Sequence, residues 1–215
     1  MIVSPAMMKI FEECQQKYIY IYIDKINLPQ NKYVYQKGKH IHAIANYFLK
    51  GQAVSKLESV LSKEEKSLWD YLKNTCYFKY EVLNTEYQLS IKLTDYWIGG
   101  RLDALVKSND DYYILDYKTG SIPQNPDFDY QTMVYLLCAN QLIKKYNSLS
   151  FVYIDLKNKT EKIIKFSNDL KYEYENKINK ILFNMDLVTK SHSVLLKNNK
   201  CICDYYCICP KKMIQ

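Results

Sequence analysis

Apolar positions recur at helical spacing through the first third of the chain and then on alternate residues, and the two periods divide it into elements. Ser4 followed by Pro5 reads as a helix cap with proline at the first helical position, after which Phe11, Cys14 and Tyr18 fall on one face. This predicts a single helix that ends at the break Leu28-Pro29-Gln30-Asn31. Ile41, Ile44, Ala45 and Phe48 form the stripe of a second helix ending near Gly51. Ser62, three residues before Glu65, forms a capping box for a third helix carrying Leu68, Trp69 and Leu72. From Tyr77 the period changes: Tyr87, Leu89, Ile91 and Leu93 alternate with polar neighbours, and 97–106 and 112–118 read as two further strands of a meander. The Pro-containing stretch 120–129 is loop, 130–145 a strongly apolar helix, 150–154 and 163–166 strands about a polar turn at 157–159, and 169–187 a final helix. Helices, three strands, helix, two strands, helix and a tail predict an α/β fold with a mixed sheet.

Composition narrows the class. The 215 residues are 48% hydrophobic with 5 Gly and 5 Pro, which excludes a disordered or collagenous chain and allows one domain with a sizeable core. No apolar run reaches the roughly 18 residues of a membrane span, and the N-terminus lacks the basic and apolar regions of a leader, so a cytoplasmic protein is expected, with no membrane partner. The net charge of +7 has the sign that suits a polyanion. Much of that lysine matches the Asn, Ile and Tyr richness of an AT-rich coding sequence, so the charge alone carries little weight. Arg101, the only arginine, stands two residues before Asp103.

The chemistry centres on two aspartates. Asp103 and Asp116 are equidistant from the candidate turn Ser108-Asn109-Asp110-Asp111, so a hairpin centred there sets them directly opposite each other on one face. Cross-strand partners have Cβ atoms about 4.5–5.5 Å apart, and like charges so placed repel. A divalent cation such as Mg²⁺ or Mn²⁺ offsets that repulsion with hard oxygen ligands. The two-residue strand period puts Ile114 and Lys118 on the face of Asp116, where an ammonium can activate water and stabilise charge on a phosphoryl oxygen. Asp-x-Lys by itself is a common tripeptide that ends many strands in a surface ion pair.

Gly100-Arg101-Leu102-Asp103, Leu115-Asp116-Tyr117-Lys118-Thr119-Gly120 and the later Tyr130-Gln131 with Tyr135 resemble the PD-(D/E)xK nuclease superfamily, in particular its RecB-type and CRISPR-associated exonuclease branch. The resemblance implies a restriction-endonuclease-like core: a mixed central sheet flanked by helices, with an N-terminal helical segment (1–76), a core (77–187) and a Cys-rich tail (188–215) clasping the first helix. It implies metal ligation by Asp103, Asp116, the Tyr117 carbonyl and His42, the last from Gly38-Lys39-His40-Ile41-His42, which fits the branch's G-x-x-x-H motif. Two residues apart on a helix, His40 and His42 point about 200° away from each other, so only one reaches the metal. Lys118 is the implied catalytic base-assisting group, Gln131 and Tyr135 border the site from the next helix, and Glu86 takes a supporting position.

The resemblance reaches the cysteines. Phe11-Glu12-Glu13-Cys14-Gln15-Gln16-Lys17-Tyr18 resembles the branch's F-x-x-C-P-x-K-Y segment with Gln15 in place of proline, and Cys201, Cys203, Cys207 and Cys209 crowd the tail. It implies a four-iron four-sulfur (4Fe-4S) cluster on Cys14, Cys201, Cys203 and Cys209, with Cys207 as an alternative ligand. Cys201 lies one residue nearer Cys203 than the pattern has it, and thiolates at these spacings suit structural Zn²⁺ as well. Cys76 and Cys138, among apolar neighbours, are expected to be buried thiols. The function implied is a Mg²⁺- or Mn²⁺-dependent deoxyribonuclease, an exonuclease on single-stranded DNA or DNA ends, in repair or CRISPR spacer acquisition, with a helicase or integrase as a possible protein partner. The alternative is a non-catalytic nucleic-acid-binding subunit that uses the same fold as a platform.

Overall fold

A computed structural model describes residues 2–26, 28, 36–194 and 203–209. Its elements are β1 (Ile2–Val3), α1 (Pro5–Glu13), α2 (Gln15–Tyr18) with a π-helical turn (Ile19–Ile23), α3 (Gln36–Leu49), α4 (Ser55–Ser59), α5 (Lys63–Lys73), β2 (Glu81–Leu93), β3 (Tyr96–Ser108), β4 (Asp111–Lys118), α6 (Tyr130–Leu142), β5 (Ser148–Asp155), β6 (Thr160–Lys165) and α7 (Asn168–Ser191). The architecture is the mixed α/β one that the periodicity predicts. The caps read from the sequence are in place: Ser4 Oγ accepts from the Met7 N–H, and Ser62 with Glu65 closes a full capping box.

The single first helix expected over this region does not form. Cys14 is extended (φ −162°, ψ 107°), so it ends α1, and its Sγ accepts from the Lys17 N–H at 3.4 Å to cap α2. The apolar stripe continues across the break, and for that reason periodicity alone does not reveal it.

β2 runs antiparallel along nearly the whole of β3, β3 and β4 form a hairpin, α6 carries the chain to β5 parallel to β4, and β6 returns antiparallel. Asn109 in the β3–β4 turn has φ +56°, the left-handed conformation Asn tolerates in a tight hairpin. β2 occupies one edge of β3. The other edge is shared: β1 pairs with Trp97 and Ile98, and β4 pairs from Ala104 to Ser108. Residues 99–103 therefore have no strand beside them on that edge, and the sheet opens there.

Helices cover both faces. Met8, Phe11, Met133, Leu136, Tyr174, Ile178 and Leu182 from α1, α6 and α7 pack on one side with Ile98, Leu102, Leu105 and Ile114. Ile41, Ile44, Trp69 and Leu72 from α3 and α5 pack on the other with Ala104, Val106, Leu115 and Tyr117. Ile114 and Leu115 thus face opposite layers, as a strand buried on both faces requires. Along β3 the facing changes between Leu102 and Ala104, with Asp103 at the switch.

The tail 203–209 lies against the N-terminal segment: Tyr205 stacks on Tyr20 with ring centroids 5.5 Å apart and donates to the Ile26 carbonyl, while the Tyr20 hydroxyl donates to the Ile208 carbonyl. Cys138 is buried as expected, in α6. Cys76 is exposed, contrary to expectation, because it opens the 3₁₀ turn Cys76–Lys79 in which Tyr77 and Phe78 take the inward positions.

Gly99 and Gly100 answer to different neighbours. A Cβ on Gly99 would run into the Leu89 carbonyl oxygen and lie 2.8 Å from the Ser90 Cα, both on β2, whereas one on Gly100 would meet the Tyr135 ring and hydroxyl of α6 at 2.8–3.0 Å. Backbone cannot move aside as a side chain can. Gly99→Ala should therefore cost about 1–3 kcal/mol and lower Tm by several degrees, and Gly100→Ala should cost less when combined with Tyr135→Ala; thermal denaturation followed by circular dichroism checks both.

Candidate active site

The register Ser108↔Asp111 to Ala104↔Leu115 carries Asp103 and Asp116 to facing positions one step beyond the last paired rung. The ladder stops there, and side chains take over its hydrogen bonds. Asp103 Oδ2 accepts from the Tyr117 N–H at 3.0 Å, and the Tyr117 carbonyl faces His42 Nε2 at 3.0 Å. The other nitrogen, His42 Nδ1, is 3.1 Å from Asp103 Oδ1. One imidazole so bridges the carboxylate and the carbonyl expected to hold a metal. Gly38, one turn earlier in α3, makes this approach possible, since a Cβ there would come within 3.2 Å of Thr119 Oγ1 at the end of β4. His40 points away and pairs with Glu65 at 2.8 Å.

Glu86 stands opposite Asp103 on the β2 side: Thr85↔Ala104 and Tyr87↔Leu102 flank a rung that is not paired, and Glu86 there has φ +48°. Glu86, Asp103 and Asp116 therefore form a row across three strands. Ligand atoms of His42, Glu86 and Asp103 lie within 4.8 Å of one another, the one such group among the described residues. Glu86, expected only as a supporting group, belongs to it. The detectable signal was register, because Glu86 is as far before a β2–β3 turn as Asp103 is after it. Arg101 Nε lies 2.9 Å from Glu86 Oε2.

Asp116 is 3% exposed. Its Oδ1 accepts from Lys118 Nζ at 3.2 Å and from the Gln131 side-chain amide, whose oxygen in turn accepts from Lys118 at 3.0 Å. Oδ2 sits 2.9 Å from the ammonium but outside hydrogen-bond geometry and is left without a hydrogen-bond donor. Burial, with the Asp103 charge adding to it, pushes the Asp116 carboxyl up to about 6 against the pull of Lys118 and His42. Burial lowers the His42 imidazole, but the bonded Asp103 carboxylate outweighs it and the net shift is upward. Tyr135 follows Gln131 by four residues, and burial, then the Asp116 and Asp103 charges, raise its phenol. Its hydroxyl donates to the Arg101 carbonyl at 2.9 Å, satisfying an acceptor on the open edge of β3.

An imidazole, two or three carboxylates and a backbone carbonyl are a hard donor set that fits Mg²⁺ or Mn²⁺, and Asp116 Oδ2, although 2.9 Å from the Lys118 ammonium, carries no hydrogen bond that a cation would have to displace. The profile of the PD-(D/E)XK nuclease superfamily matches residues 2–210. The chain belongs to that superfamily. Over 124 residues it is 27% identical to the CRISPR-associated exonuclease Cas4 of Francisella tularensis subsp. novicida (strain U112), a match that takes in 57% of this chain and 61% of the relative. Its fold resembles the crystal structure of an exonuclease candidate from Eubacterium rectale, with TM-score 0.53 at 10% identity, covering 92% of this chain and 90% of the other. Groups from both layers meet here: His42 from the α3 side, Gln131 from the α6 side, and the carboxylates and Lys118 between them.

Of the cysteines expected at a cluster, Cys201 lies outside the described residues. Cys14 and Cys209 both flank Tyr20, whose phenol is raised first by burial and then by these thiols and Asp24. Cys203 is half-buried, Cys207 exposed and Cys209 buried. Among the described residues no three cysteine sulfurs lie within 4.8 Å of one another. No helix among the described residues is long and apolar enough to cross a membrane.

The raised carboxyl fixes a pH dependence. Folded Asp116 holds its proton up to about pH 6, whereas an unfolded aspartate loses it near 3.8, so the metal-free protein loses stability as pH rises through that window. His42 adds a loss of the same sign as pH rises through its own raised value. A bound cation reverses both. Added Mn²⁺ should raise Tm more at pH 8 than at pH 5, and Asp116→Asn should shrink the difference; thermal denaturation in EDTA and in Mn²⁺ at both pH values checks this.

Proposed function

We propose that this nuclease is a divalent-metal-dependent exonuclease that hydrolyses phosphodiester bonds of single-stranded DNA or DNA ends. The observation that carries the reading is the row of acidic groups at the opened ladder, with a lysine beside it and a histidine bridging it. His42, Glu86, Asp103, Asp116 and the Tyr117 carbonyl would hold Mg²⁺ or Mn²⁺, which when bound lowers the pKa of water and polarises a phosphoryl oxygen. Lys118 lies against Asp116, where it orients an attacking water and stabilises charge growing on the phosphate. Gln131 fixes the Lys118 ammonium through its amide oxygen and Asp116 Oδ1 through its amide nitrogen, so the base-assisting pair is held in one geometry. Tyr135 acts as a positioning residue by anchoring the Arg101 carbonyl.

The similarity to a CRISPR-associated exonuclease supports a setting in CRISPR spacer acquisition, with repair as the other DNA-processing context and a helicase or integrase as the class of partner. The terminal cysteines we read as a 4Fe-4S site on Cys14, Cys201, Cys203 and Cys209, supported by the docking of the tail on Tyr20, whose phenol both Cys14 and Cys209 raise; iron and acid-labile sulfide analysis of anaerobically prepared protein separates this from structural Zn²⁺.

End-labelled single strands should be shortened in Mn²⁺ or Mg²⁺ and left intact in EDTA. Asp116→Ala and Lys118→Ala should each lower kcat by about 10²–10³-fold while Lys118→Ala still binds the strand. Wild-type protein that binds DNA and cuts none under either metal would replace this reading with the non-catalytic platform.

A further inference from the structure

We propose that the cleft between the start of α1 and the end of β4 is a strand-binding subsite that holds one or two nucleotides next to the scissile phosphate, with Lys9 as its phosphate contact; the proposal rests on the nuclease reading above. The cleft has a volume of about 610 Å³. It exists because residues 99–103 of β3 have no neighbouring strand on that edge, so β1 and α1 stand apart from β4. Lys118, Gln131 and Tyr135 line one part, and 4–6 with Lys9 line another, so a single cavity joins the reactive lysine to the first turn of α1. A strand whose phosphate sits at Lys118 continues into this space.

Charge and size select the occupant. Lys9, Arg101 and Lys118 line the cleft with one carboxylate, Asp129; Arg101 and Lys118 are paired with Glu86 and Asp116, so among the described residues Lys9 is the lining cation with no ion pair to break. That carboxylate is already engaged, accepting from the Gln131 N–H at 2.9 Å and from the Tyr153 hydroxyl at 3.3 Å. The N-terminus of α1 opens on the same space, and its dipole adds to the attraction for an anion. Half-buried Ile122 and Pro123 supply an apolar wall for a sugar or base. Sites of roughly 300–1,000 Å³ hold one small molecule, so the cleft takes a mono- or dinucleotide length of single strand and no duplex. The larger cavity of about 760 Å³ between α5 and the β5–β6 turn differs: Lys63, Lys66 and Lys159 share it with two carboxylates, Asp70 and Glu161, and it shares no residue with the active site.

Lys9 is the discriminating position, since it is exposed and lies on α1, outside the strands that carry Glu86, Asp103 and Asp116, whereas Arg101 pairs with Glu86. Binding of a short labelled oligothymidylate in EDTA, followed by fluorescence anisotropy, should weaken about tenfold in Lys9→Glu with the salt slope reduced by about one. Tm and the Mn²⁺ stabilisation should stay as in wild type. Lys66→Glu, in the larger cavity, should change binding less than twofold. A methylphosphonate replacing the phosphate one or two nucleotides from the cut should erase the difference between wild type and Lys9→Glu. Equal weakening by Lys9→Glu and Lys66→Glu, or wild-type binding and cleavage in Lys9→Glu, overturns the cleft and leaves the nuclease standing. Wild-type protein that neither binds nor cuts a single strand overturns both.

Discussion

Asp103 and Asp116 face each other where an antiparallel ladder has just ended, and the second of them is almost fully buried. Like charges so placed disfavour the ionised form unless a positive partner stands by. Lys118 supplies one charge, His42 can supply a second by protonation, and a divalent cation supplies more than either. Burial, with the Asp103 charge added, pushes the Asp116 carboxyl up to about 6 despite the pull of Lys118 and His42. Much of the surrounding structure serves to hold this mismatch in place: the Tyr117 amide and carbonyl are tied to Asp103 and His42, and Gln131 grips Asp116 and Lys118 together.

The open edge of β3 gives the site its access. A continuous strand along 99–103 would satisfy the backbone and seal the sheet, but it would also bury the carboxylates beyond reach of a substrate. Splitting that edge between β1 and β4 leaves carbonyls to be satisfied one at a time, as Tyr135 does for Arg101. The close approach of Tyr135 leaves no room for a side chain at Gly100, and β2 leaves none at Gly99. Stability and access to the site are thus set by the same few residues.

The order of elements, the capping box at Ser62 and the facing positions of Asp103 and Asp116 were legible in the sequence because each depends on local spacing. The break at Cys14 was not, since its cause is backbone conformation under an unbroken apolar stripe. Cys76 was misread for a related reason: apolar neighbours indicate a buried stretch but not which member of a 3₁₀ turn points inward. β1 has two residues and no period of its own, so the split edge that shapes the cleft appears only in three dimensions. Register brings Glu86 opposite Asp103, but its place beside His42 also depends on a left-handed residue in an otherwise regular strand, which spacing does not reveal.

The most direct test is anomalous diffraction from a crystal of the protein grown with Mn²⁺. The account predicts a manganese peak within bonding distance of His42, Asp103 and at least one of Glu86 and Asp116. A fully ordered site with no peak there, or a peak only elsewhere on the molecule, would contradict it.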